Sequence, residues 1–128
     1  MLQMRNIELE ISNPCNEHCV HCYRHFLNLK RDFMSEDMAF SVIKQAKDLG
    51  TSNAVVTGGE VLLNPQWKQI CKTIDSFDLR LSILTNGSLM TETDADFLTT
   101  LKNLRQVQFS LYAVDEMIHD KITGLKGS

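Results

Sequence analysis

The chain has 128 residues, 43% of them hydrophobic and 23% charged, and a formal net charge of −3. That composition suits one globular domain with one core, and it excludes disordered, fibrous and collagen-like chains. The basic residues are scattered within an acidic balance, and no apolar run approaches the roughly 20 residues of a membrane span, so neither nucleic acid nor membrane is an expected partner.

Residues 7–12 alternate Ile7, Leu9 and Ile11 with Glu8 and Glu10, the period of a strand, which Asn13-Pro14 closes. Residues 13–34 have no period and hold three of the four cysteines and three of the four histidines, so they read as a long loop of the kind that carries function. Ser35 then caps a helix with Glu36 and Asp37 in its first turn and Met38, Val42, Ile43, Ala46 and Leu49 at helical spacing. Residues 53–57 form a second strand whose Ala54-Val55-Val56 suits burial on both faces, and Gly58-Gly59 stops it.

Asn64-Pro65 reads as cap and first residue of a second helix, with Trp67, Ile70, Cys71, Ile74 and Phe77 on its inner stripe. Residues 79–84 give a third strand, ended by Thr85-Asn86-Gly87. Thr91 caps a third helix, and residues 106–111 give a fourth strand. Alternation of strand and helix calls for parallel strands joined by right-handed crossovers. The cysteine loop, Gly58-Gly59-Glu60, Thr85-Asn86-Gly87 and Ser110 then share the C-terminal face of the sheet, where α/β folds place their sites.

The N-terminus shows no signal-peptide core, so a reducing, cytoplasmic setting is expected, where clustered thiols bind metal or do chemistry more often than they pair. Cys15, Cys19 and Cys22 are soft donors suited to zinc, an iron–sulfur cluster or copper(I). A structural zinc site closes with four ligands. No second cysteine pair exists here, but His18, His21 or His25 could supply the fourth, so zinc stays open. Three thiolates on a four-iron cube leave one iron free to take a substrate or cofactor.

The run Cys15-Asn16-Glu17-His18-Cys19-Val20-His21-Cys22-Tyr23 resembles the CxxxCxxC loop of radical S-adenosylmethionine (radical SAM) enzymes. Three later segments resemble the same family in the same order: Gly58-Gly59-Glu60, Leu84-Thr85-Asn86-Gly87, and Phe109-Ser110-Leu111-Tyr112 followed by His119-Asp120. The last is similar to the peptide-modifying branch that often carries a C-terminal SPASM domain. A glycine pair or an Asn-Gly step is ordinarily only a turn. The joint occurrence of four segments is what carries the resemblance.

The resemblance implies an α/β fold, a partial (β/α) TIM-like barrel of about four parallel strands and three to four helices. Residues 1–128 would be the N-terminal part of a radical SAM core, ending after the fourth strand with an open edge. It implies Cys15, Cys19 and Cys22 as ligands of a [4Fe–4S] cluster and S-adenosylmethionine on the open iron, cleaved reductively to a 5′-deoxyadenosyl radical that abstracts hydrogen. Gly58 and Gly59 would let the methionine end approach, Glu60 would accept from its ammonium, His21 would lie against the adenine, and Ser110 and Asn86 would border the pocket. A peptide or protein substrate and a reductant such as flavodoxin or ferredoxin would be the partners.

Val61 stands where the family usually has proline, and Thr123 where many peptide-modifying members have arginine. Trp67 and Cys71 read as core, and His119 and Asp120 as a capping arrangement. The alternative is a non-catalytic remnant, a module that holds a cluster or zinc.

Overall fold

The computed structural model describes residues 4–27 and 30–128, and of the side chains within those spans it leaves out His25 and Phe26. Four strands, β1 (Asn6–Ser12), β2 (Asn53–Gly58), β3 (Arg80–Thr85) and β4 (Leu104–Phe109), form one parallel sheet in the order β1-β2-β3-β4. Helices α1 (Glu36–Asp48), α2 (Trp67–Ser76) and α3 (Glu92–Thr99) join successive strands, and α4 (Glu116–Thr123) follows the last.

Each strand sends alternate side chains to one face, and those of β1, β2 and β3 on the helix side make the core. Leu9, Ile11, Ala54, Val56, Leu81 and Ile83 are all buried there against Ile43, Ile70 and Ile74. Trp67 meets Phe97 edge to face at 5.4 Å and so locks α2 to α3, while Phe40 meets Phe77 at 5.5 Å across α1 and α2. Cys71 is core, and Val61 fills the place of the usual proline fully buried.

The helix starts follow their caps. Ser35 Oγ accepts the Met38 N–H, and Thr91 and Asp94 form a reciprocal capping box at α3. Asn64 is different. It was expected to cap α2, yet α2 begins at Trp67, with Gln66 in the cap position. Asn64 is fully buried, and its Nδ2 donates to the carbonyls of Ile11 at 2.6 Å and Met34 at 2.9 Å while its Oδ1 accepts from the Gln66 N–H. One amide therefore ties the end of β1 to the entries of α1 and α2, since buried carbonyls take whatever donor reaches them.

Two expectations for the strands shift. β4 runs two residues earlier than its pattern suggested, because Leu104 pairs with Leu81, and a register change after Leu81 sets Gln106 beside Ser82. Ser110 then lies just past the strand, its N–H still donating to Thr85. β2 is not buried on both faces. Val55 and Thr57 on its second face are half-buried, and Thr57 lines a cavity there.

The open edge is present. Past β3 the apolar side chains lose cover: Phe109, Leu111, Val114, Met117 and Ile118 are all exposed, Val114 almost completely. No helix among the described residues is long and apolar enough to cross a membrane.

Candidate cluster and cofactor site

The loop after β1 is seated by main-chain bonds from three directions. On the β2 side, the N–H groups of Gly59 and Glu60 donate to the carbonyls of Ser12 and Pro14 at 2.7 and 2.9 Å. Side chains on Gly58 and Gly59 would run into the backbone of Ser12, Asn13 and Pro14. Gly58 also has a φ of +148°, so glycine is required there twice over. The pair therefore serves the packing of the cysteine loop on β2, in addition to facing the cavity.

From the other side α4 clamps the same loop. The N–H groups of His18 and Val20 donate to the carbonyls of Thr123 and Ile122 at 2.7 and 2.9 Å, so the last turn of α4 accepts from the segment that carries the cysteines. Thr123 is fully buried in this joint and Asp120 caps it, its carboxylate accepting from the N–H groups of Gly127 and Ser128. Those bonds hold the Asp120 carboxyl below the usual range. Asp120 is therefore a capping residue, as its position suggested. From the third direction, Phe33 bridges antiparallel to Ser12.

These contacts leave a cavity of about 320 Å³ at the C-terminal ends of the strands. It is lined by Cys15, Cys19, Cys22, His21, Gly58, Gly59, Asn86 and Ser110, so eight of the nine residues singled out from sequence meet on one surface. The ninth, Glu60, does not line it. Its carboxylate is completely buried behind the cavity wall, where it accepts from the Thr85 hydroxyl at 2.6 Å, the Asn86 N–H at 2.8 Å and the Leu62 N–H at 2.9 Å. Oε1 takes two of these donors and Oε2 one, so the carboxylate is committed to the turn after β3 and to Leu62.

Sequence reasoning missed Glu17 and Arg24. Glu17 is buried, and Cys19 Sγ donates to its Oε2 at 3.3 Å. Burial first, then the bond to Glu17 and its charge, push the Cys19 thiol up to about 12. Burial also raises Cys15. Arg24, on the cavity wall, donates to Glu10 at 3.0 Å and to Asn13 at 3.4 Å, and although burial works against its charge, the bonded Glu10 carboxylate outweighs it and raises the guanidinium above its ordinary value. The signal for Arg24 was its place two residues past Cys22, opposite the inward alternation of Glu8 and Glu10.

His21 is exposed on the rim and meets Tyr112 edge to face at 4.6 Å; Tyr112 stacks in turn on His119 at 5.8 Å. The buried His119 accepts the Tyr112 N–H on Nδ1 and so orients that ring. Three soft donors facing one cavity match what an iron–sulfur cluster needs. Among the described residues no group of three or more His, Cys, Asp or Glu side chains is arranged around a single metal ion. Of the histidines offered as a fourth zinc ligand, the side chain of His25 lies outside the described residues.

Comparison with known proteins now decides the family. The model of the radical SAM superfamily matches residues 9–128. The chain belongs to the radical SAM superfamily. This superfamily uses a [4Fe–4S] cluster and S-adenosylmethionine. Among curated proteins, the chain is 29% identical over 119 residues to the antilisterial bacteriocin subtilosin biosynthesis protein AlbA of Bacillus subtilis, covering 93% of this chain and 27% of that protein. It is 26% identical over 121 residues to a probable GTP 3′,8-cyclase of Methanopyrus kandleri, covering 94% of this chain and 38% of that one. The chain thus spans well under half the length of these relatives. Among solved structures, Streptococcus suis SuiB bound to its precursor peptide SuiA superposes with a TM-score of 0.84 at 20% identity, over 98% of this chain and 28% of that one. SuiB bound to S-adenosylmethionine superposes with a TM-score of 0.81. These likenesses establish the α/β fold of four parallel strands as that of a radical SAM core.

Proposed function

We propose that this chain is the cofactor-binding part of a radical SAM enzyme that modifies a peptide or protein. The observation that carries the reading is that three thiols, Cys15, Cys19 and Cys22, line one cavity at the strand ends. A [4Fe–4S] cluster held by these three cysteines would supply the one-electron chemistry by which S-adenosylmethionine is cleaved for hydrogen abstraction from an unactivated carbon. The chain's own residues do the holding. The three cysteines would ligate the cluster, the backbone of Gly58 and Gly59 and the side chain of Ser110 would border the methionine end, and His21 would offer its ring to the adenine. Glu60 acts from behind the wall by fixing the turn after β3.

The peptide substrate is proposed from likeness to AlbA, a bacteriocin biosynthesis protein, and to SuiB with its precursor peptide. A one-electron donor such as flavodoxin or ferredoxin and a cytoplasmic setting belong to the same proposal. The test is anaerobic reconstitution with iron and sulfide, followed by S-adenosylmethionine and reductant. A cubane spectrum and release of 5′-deoxyadenosine are expected, and Cys19→Ala should abolish cluster uptake. A tightly bound zinc with no nucleoside product would establish the non-catalytic metal module instead, and unchanged iron content in Cys19→Ala would overturn the ligand assignment.

A further inference from the structure

Asn86 is anchored more firmly than a residue at an open cavity edge requires. Its N–H donates to Glu60 Oε2, and Thr85 beside it both donates to Glu60 Oε1 and accepts the Gly87 N–H at 3.0 Å. The whole turn after β3 is thereby pinned to a fully buried carboxylate. The Asn86 side chain is fixed as well. Its Oδ1 accepts from the Ser88 N–H at 3.0 Å and from the Ser88 hydroxyl at 2.9 Å. A main-chain N–H can only donate, so the oxygen of this amide must face Ser88 and its NH₂ must face the other way.

On that other side lie Asn16 Oδ1 at 3.0 Å and Cys15 Sγ at 3.8 Å, both facing Nδ2. Asn16 closes the ring by donating to the Ser88 hydroxyl at 2.8 Å. Asn86, Asn16 and Ser88 are thus mutually satisfied in a single arrangement, and that arrangement leaves one amide proton aimed at the Cys15 sulfur. A polar side chain 71 residues away along the chain supplies it.

We propose that Asn86 is a positioning residue that donates an N–H···S hydrogen bond to the Cys15 thiolate and thereby raises the reduction potential of the bound cluster. The inference rests on the reading that Cys15 ligates a [4Fe–4S] cluster. One-electron reduction adds negative charge to the cluster and its sulfurs, and a donor already aimed at one sulfur stabilises the reduced form more than the oxidised form. The buried Glu60 carboxylate acts one step further back, through the turn that carries the amide.

The test is a potentiometric titration, followed by electron paramagnetic resonance, of the full chain loaded anaerobically. Asn86→Ala should load iron and sulfide as the unaltered chain does but titrate at a lower midpoint potential. Ser88→Ala, which disturbs the same turn yet leaves the Ser88 N–H to hold the amide, should titrate with the unaltered chain. Should Asn86→Ala fail to load, Asn86→Leu keeps the size of the side chain without the donor and without adding charge, and it too should titrate lower. Midpoints equal to that of the unaltered chain in whichever of these variants loads, or a Ser88→Ala midpoint lowered equally, overturn the proposal alone. An unaltered chain that takes up no iron overturns both this proposal and the reading beneath it.

Discussion

Gly59 lies against Pro14 so closely that a side chain on the glycine would overlap the carbonyl group of the proline. The adjacent Glu60 N–H bonds that same carbonyl at 2.9 Å, so the two loops cannot separate without losing a buried hydrogen bond. Gly59→Ala should therefore cost about 1–3 kcal/mol, the usual range for an overpacked site whose neighbour is rigid backbone. Urea denaturation followed by circular dichroism reads this directly. A midpoint unchanged from that of the unaltered chain would mean that the cysteine loop docks less tightly than the geometry requires.

Asn64→Ala tests the amide that ties β1 to α1 and α2. Its loss leaves the Met34 carbonyl without this donor and the Gln66 N–H without its acceptor, while the Ile11 carbonyl keeps only the Met34 N–H. Buried polar groups left unmatched cost about 1–3 kcal/mol, so a comparable loss of stability is expected, with the denaturant slope preserved. A loss of only a few tenths would show that water reaches the Met34 carbonyl and the Gln66 N–H.

Cys71 should be chemically silent in the folded chain. It is fully buried on α2, and desolvation pushes its thiol up to about 12. Only the thiolate is nucleophilic, so iodoacetamide at about pH 8 should label Cys22 while Cys71 waits for unfolding. Peptide mapping by mass spectrometry over time distinguishes the two sites. Equal labelling rates would contradict the packing of α2.

Asp94 gives a pH dependence of known sign. The Lys68 ammonium, 2.6 Å away, and then the Thr91 hydroxyl hold the Asp94 carboxyl below its ordinary value of 3.8. A depressed carboxylate contributes stability that is complete above the unfolded value and is lost as pH falls through the folded one. Asp94→Asn should thus be less stable than the unaltered chain at about pH 6, with the gap closing below about pH 4. The pair is partly exposed, so added salt should shrink the gap as well. A gap that persists into acid would show that the capping bonds to Thr91, not the charge, carry the effect.

Much of this molecule was legible in local pattern. The caps at Ser35 and Thr91, the alternation of Ile7, Leu9 and Ile11, and the order of strands and helices all stand where the residues placed them. The spacing of Cys15, Cys19 and Cys22 and the three segments that follow were enough to indicate the family to which the chain belongs. What local pattern missed involves partners far along the chain. Asn64 has the look of a helix cap, and only the arrival of Ile11, 53 residues earlier, makes it a buried tie. The fourth strand starts early because Leu81 selects Leu104 as its neighbour.

The residues by themselves determined the element order, the starts of α1 and α3 and the clustering of three soft sulfur donors, because periodicity, capping and ligand softness depend on side-chain type and on neighbours a few positions away. Tertiary structure alone decided which way Glu60 turns and what Asn86 offers to Cys15. A carboxylate settles on the nearest donors, and for Glu60 two of these are Thr85 and Asn86, 25 and 26 residues further on, brought alongside only when β3 pairs with β2.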